Sequence, residues 1–215
     1  MSDHPHADDE LSAFTMDILV YNEYSGESAE VKVPESVAKL SDEPYQELIY
    51  RGTFHDHPVT VKIWGVGATA AGQELLEMYE SEKLALQTLE DLKVTPRILF
   101  DGYYLIPNVD RRAKVLITEW REGRTLRSCW RELSQHQRNL VRTDLLNFFH
   151  VSLKRGIYHD GLRHLESTLW DEQSMSLTIM DFERAKEWDN EDTTIEMNDV
   201  AVNETAIILE AAYSL

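Results

Sequence analysis

The sequence predicts an α+β fold in two lobes: a β-rich N-terminal lobe with one main helix, then a shortened, mostly helical C-terminal lobe. Three observations predict it. Between residues 14 and 120, six short runs rich in β-branched and aromatic residues are bounded by turn clusters. One long helical run, Gln73 to Leu92, interrupts them after the fourth. Beyond Trp120 the composition turns helix-rich, and Arg121-Glu122-Gly123-Arg124 marks the boundary with a breaker. The plan is therefore a polar tail over 1–13, a first lobe over 14–120 and a second over 121–215.

At 215 residues, 42% hydrophobic and 28% charged, the chain can bury a real core. Its net charge of −18 argues against nonspecific binding to nucleic acid or an anionic membrane, since both need excess Lys and Arg. Basic partners are permitted. The single cysteine, Cys129, allows no disulfide framework and no cysteine-based metal site, which fits a reducing compartment. The N-terminus, MSDHPHADDE, lacks the apolar core of a signal peptide. No run reaches the roughly 18 apolar residues of a membrane span. A cytoplasmic or nuclear location is expected.

In chain order, Phe14 to Tyr21 and the alternating Ala29 to Val33 flank the turn cluster Asn22 to Ser28, which reads as a β-hairpin. Pro34 to Pro44 is a connector, with a helical turn at Val37 to Leu40. Gln46 to Phe54 and Val59 to Trp64 are strands joined at His55-Asp56-His57-Pro58. Arg97 to Tyr104 and Lys114 to Trp120 are two more, with Pro107 to Arg112 between them. Leu126 to Leu133 and Gln135 to Lys154 are helical, the second ending at Gly156. Leu177 to Met180 is a short apolar strand between two polar loops. Ile195 to Ala212 reads as a final helix.

A few residues stand out against this background. In Val-Thr-Val-Lys-Ile-Trp, Lys62 points away from the face shared by Val59, Val61 and Ile63. It is either a solvated edge charge or a functional cation. Glu82 falls on or beside the apolar stripe of its helix, where a carboxylate needs a cation unless it turns to water. The strand ending at Met180 delivers Asp181-Phe182 into one loop, while His159, Asp160 and Glu166 lie in the loop before it. Two acidic loops around a strand can bring carboxylates to one mouth, as a Mg-nucleotide site requires.

Taken in order, these segments resemble the eukaryotic-like protein kinase superfamily, and in wording short fungal kinase-like proteins. Val59 to Trp64 resembles the third-strand motif with Lys62 as the phosphate-contacting lysine, and Glu82 stands where the glutamate that pairs with it belongs. Leu116 to Gly123 resembles the hinge, with Thr118 as gatekeeper and the backbone around Glu119 and Trp120 set to bond adenine. Gly156-Ile157-Tyr158-His159 resembles the entry to the catalytic loop, and Met180-Asp181-Phe182-Glu183 resembles D-F-G. The resemblance implies a kinase-like two-lobed fold with an extra N-terminal hairpin. It implies ATP and Mg²⁺ as cofactors, with Asp181 on the metal.

Four departures set this chain apart. The position two residues after His159, an aspartate in the family, is Gly161, and Asp160 stands one place early as a displaced base. The asparagine position falls on Glu166 counted from His159, or on Ser167 counted back from Leu169-Trp170; only the first would be a strong Mg²⁺ ligand. No G-x-G-x-x-G lies between residues 34 and 62. D-F-G reads D-F-E, and no A-P-E follows. The resemblance thus implies a pseudokinase that binds ATP and works through a protein partner, or alternatively an active atypical phosphotransferase.

Overall fold

Apolar residues alternating with polar ones build the first half of the protein. The computed structural model describes residues 15–34, 47–65, 67, 69–106, 112–188 and 194–213. The expected tail, the helical turn at Val37 to Leu40 and nearly all of the turn at Pro107 to Arg112 lie outside them.

Strands β1 (Thr15–Tyr21) and β2 (Ser28–Pro34) form the expected hairpin, with Ile18 opposite Val31. β3 (Glu47–Phe54) and β4 (His57–Trp64) form a second. Their turn is tighter than the sequence suggested. Phe54 already pairs with His57, so only His55 and Asp56 form the loop, both at positive φ (49° and 62°). That is the signature of a type I′ turn, whose twist matches the flanking strands. After helix α1 (Ala70–Thr88) come β5 (Ile98–Leu105) and β6 (Arg112–Glu119). Val20, Val31, Val33, Val61, Ile63, Val115 and Ile117 are among the side chains that fill the interior.

The strand order is β1-β2-β3-β4-β6-β5, closed into a barrel. This overturns the expected two-lobed, kinase-like fold. The N-terminal hairpin is not an appendage on an open sheet; β1 is the closing strand, with Val20 opposite Tyr104 and Tyr21 opposite Tyr103 on β5. The described residues hold eleven strands and four helices, and five of those strands, each two to four residues long, run among the helices after Glu119. Closure has a physical motive, because a barrel leaves no strand edge unpaired. It also has a local enabler. A Cβ on Gly102 would lie 2.0 Å from the carbonyl oxygen of Tyr21, so only glycine lets β5 run this close to β1.

The described residues divide into two units, one up to Leu76 plus Leu99–Glu119, the other Glu77–Ile98 plus Trp120–Leu215. In the second, β7 (Arg124–Thr125) leads into the short helix α2 (Leu126–Cys129). Helix α3 (Gln135–Lys154) follows. Ser134 and Gln137 start α3 with a reciprocal capping box, and Gly156 at φ +79° follows its end. Its buried face includes Val141, Leu145, Phe148, Phe149 and Leu153. Helix α4 (Thr194–Tyr213) packs on it. Between these helices run β8 (Ile157–His159), a 3-10 turn (Asp160–His164), β9 (Thr168–Asp171), β10 (Ser176–Ile179) and β11 (Ala185–Glu187). β9 pairs with β10 and β7, and β8 with β11. No helix among the described residues is long and apolar enough to cross a membrane.

Candidate functional site

The candidate residues fall in both units, and the barrel holds the first group. Val59, Val61 and Ile63 on β4 point into the barrel. Lys62 therefore faces outward, opposite Ile49 on β3 and Leu116 on β6. It is nevertheless only 8% exposed, so it is not the solvated edge charge that an outward lysine usually is. Its Nζ lies 5.8 Å from the ring centre of Trp64, within range of a cation–π attraction. Thr118, two residues along β6 from Leu116, is buried on the same outer face, while Glu119 is half-buried.

In the second unit, Glu82 lies on the buried face of α1, in register with Tyr79, Leu86 and Leu89, and is 3% exposed. The alternative in which it turns to water is excluded. Trp120 is half-buried, and its indole N–H donates to Glu122 at 2.8 Å.

The loops around β10 form a single hydrogen-bonded unit. Pairing of Ala185 with His159 and of Ile179 with Thr168 brings the two loops together. His159 is 2% exposed, and its ring bridges them: Nδ1 accepts from the Gly161 N–H at 3.1 Å, which leaves Nε2–H to donate to the Met180 carbonyl at 2.9 Å. This arrangement needs the neutral ring. Burial pushes its pKa down, against smaller opposing effects from the Met180 bond and from Asp181 and Asp160. The Met180 N–H donates to the Ser167 carbonyl at 2.8 Å. Phe182, fully buried, packs on the His159 ring with centroids 4.5 Å apart and on Phe148 at 6.1 Å.

This scaffold displays Asp181. Its side chain is exposed, its backbone is left-handed (φ +65°), and its Oδ2 accepts from the Ser167 hydroxyl at 3.3 Å. Its neighbour Phe182 is fully buried, and left-handed non-glycine residues cluster at functional sites. Leu165, at φ +57°, is a second left-handed non-glycine residue, in the loop that precedes β9.

The other carboxylates are engaged elsewhere. Asp160 Oδ2 lies 2.5 Å from Lys186 Nζ on β11. Glu166 Oε1 lies 2.7 Å from Arg127 Nη1 on α2. Of the two residues counted for the asparagine position, Ser167 is the one beside Asp181. Its signal in the sequence was the count back from Leu169-Trp170. Lys186 was missed, because nothing in one dimension places it on a strand paired with β8. At Gly161, where the kinase resemblance would put an aspartate, a Cβ would meet the His159 ring at 3.1 Å.

No group of three or more His, Cys, Asp or Glu able to hold a metal forms among the described residues. Mg²⁺, however, commonly enters a site on one or two carboxylates together with phosphate oxygens and water. The exposed Asp181 carboxylate with its Ser167 neighbour fits that mode. No protein-family model matches this sequence, and no curated protein matches it either, so the functional reading rests on the chemistry of the loops themselves.

Proposed function

We propose that this protein is a nucleotide-binding module, kinase-like in its motifs, that holds Mg-ATP without transferring its phosphate and acts through a protein partner. The observation that carries the reading is the contrast between two carboxylates in one loop unit. Asp181 is exposed and held in place beside Ser167; Asp160 is tied to Lys186, next to a glycine where a base would stand. Phosphoryl transfer is mostly positioning and charge neutralisation, so a site can keep the first without the second. In this reading Asp181 holds Mg²⁺, which neutralises phosphate charge when bound. By the kinase resemblance, Lys62 is assigned to phosphate oxygens, Glu82 to a buried cation, and the backbone at Glu119 and Trp120, next to Thr118 in sequence, to adenine.

The test is a thermal shift with Mg-ATP. Binding to the folded state alone raises Tm, and ligand at about 100 times Kd adds about 2.7 kcal/mol, or roughly 5–10 °C for a chain of this size. Asp181→Ala is expected to abolish the Mg²⁺-dependent part and Lys62→Ala most of the whole. A wild type that does not shift sinks the nucleotide reading. Labelled phosphate should stay on ATP; transfer that is abolished by Asp181→Ala would instead establish an active phosphotransferase.

A further inference from the structure

Lys186 carries a charge that its own contacts use only in part. It lies on β11, opposite Tyr158 on β8, and its side chain is 63% exposed. Among the described residues its ammonium has one partner, Asp160 Oδ2, at 2.5 Å. An ammonium carries three N–H donors, so it has donors to spare for a further acceptor. An exposed ion pair of this kind adds little to stability, so the fold gains little from it.

The place of the pair is the informative part. Asp160 stands between two residues that touch the segment carrying Asp181. On one side, the His159 Nε2–H donates to the Met180 carbonyl at 2.9 Å. On the other, a Cβ on Gly161 would lie 3.7 Å from the Asp181 carbonyl oxygen. The ammonium of Lys186 is thus tied into the loop unit that displays Asp181, the carboxylate proposed to hold Mg²⁺. Charge points the same way. Mg-ATP is still an anion once its metal is counted, and both Asp160 and a chain of net charge −18 repel it. A phosphate seated on Mg²⁺ at Asp181 needs a cation on the Asp160 side, and Lys186 stands there.

We propose that Lys186 bridges Asp160 and the terminal phosphate of the bound nucleotide, and that this contact makes the site select a triphosphate over a diphosphate. One ammonium donor stays on Asp160, and the others meet phosphate oxygens in charge-assisted hydrogen bonds. Asp160 is then a positioning residue that holds the lysine at the phosphate. A diphosphate held through the same metal and adenine contacts would leave those donors unanswered. Lys186 has this role only if the nucleotide reading above holds, and the role specifies which part of the nucleotide the loops recognise.

The experiment is calorimetric titration of the full chain with ATP and with ADP, both at saturating Mg²⁺. The wild type is expected to bind ATP about tenfold more tightly than ADP, the worth of one charge-assisted hydrogen bond at an exposed site. Lys186→Ala, a change at an exposed side chain, should bring that ratio to about one. A lysine that merely neutralised Asp160 would become dispensable once both charges were removed. The double change Lys186→Ala, Asp160→Asn separates the two roles, and its ratio should also stay at about one. The proposal is overturned if the wild type binds ATP and ADP alike, if Lys186→Ala keeps the wild-type ratio, or if the double change restores it. A wild type that binds neither nucleotide overturns the nucleotide reading itself, and the role of Lys186 with it.

Discussion

At the scale of single residues, His159 is the one whose chemistry spreads furthest. The sequence placed it at the entry of a loop, and the structure makes it the pin between that loop and Met180. Its pKa is depressed in the folded protein, chiefly by burial, so its contribution to stability is present above the ordinary value of 6.5 and is lost as pH falls below it. Stability measured by urea unfolding should therefore drop between about pH 7 and pH 5 in the wild type, with a shallower slope in His159→Asn. Equal slopes would show that the ring does not stay neutral in the fold. At pH 7 the same substitution should cost about 2–3 kcal/mol, because the ring's hydrogen bonds and its packing on Phe182 go together.

At the scale of elements, patterns long enough to repeat were legible and shorter ones were not. The hairpin β1–β2, the strands β3 to β6 and the helices α1, α3 and α4 all follow periodicities that run for several turns or alternations. β7, β8, β9 and β11 hold two to four residues each, too few to show a period of two, and pairing alone defines them. The β3–β4 turn is a place where local chemistry is improvable. His55 and Asp56 both adopt positive φ, a conformation that Asn-Gly enters more easily. The double change His55→Asn, Asp56→Gly is expected to add about 1 kcal/mol and raise Tm by about 2–4 °C, read by thermal unfolding. A fall in Tm would mean that the turn is not of the type assigned.

At the scale of the molecule, closing the barrel is the decision that separates this architecture from the expected one. It hinges on the approach of β5 to β1 at Gly102 and Tyr21. Gly102→Ala sets a methyl against a backbone carbonyl that cannot swing aside, unlike a flexible side chain. It should destabilise by about 3 kcal/mol or more, with the largest loss of amide-exchange protection along β1. A loss below about 1 kcal/mol, or one confined to other strands, would show that the closure is not under this constraint.

By itself the sequence determined the longer strands and helices, which face of β4 carries Lys62, and that Glu82 lies on or beside the stripe of α1. Those are consequences of alternation and of 3.6-residue periodicity, both local. It did not determine whether the six N-terminal strands stay an open sheet or close, because closure depends on one glycine that any loop or bulge would equally explain. Nor did it reveal that Ser167 lies beside Asp181 and Glu166 beside Arg127, or that Lys186 neutralises Asp160. Those outcomes depend on which short strands pair across tens of residues, and only the folded chain fixes that pairing.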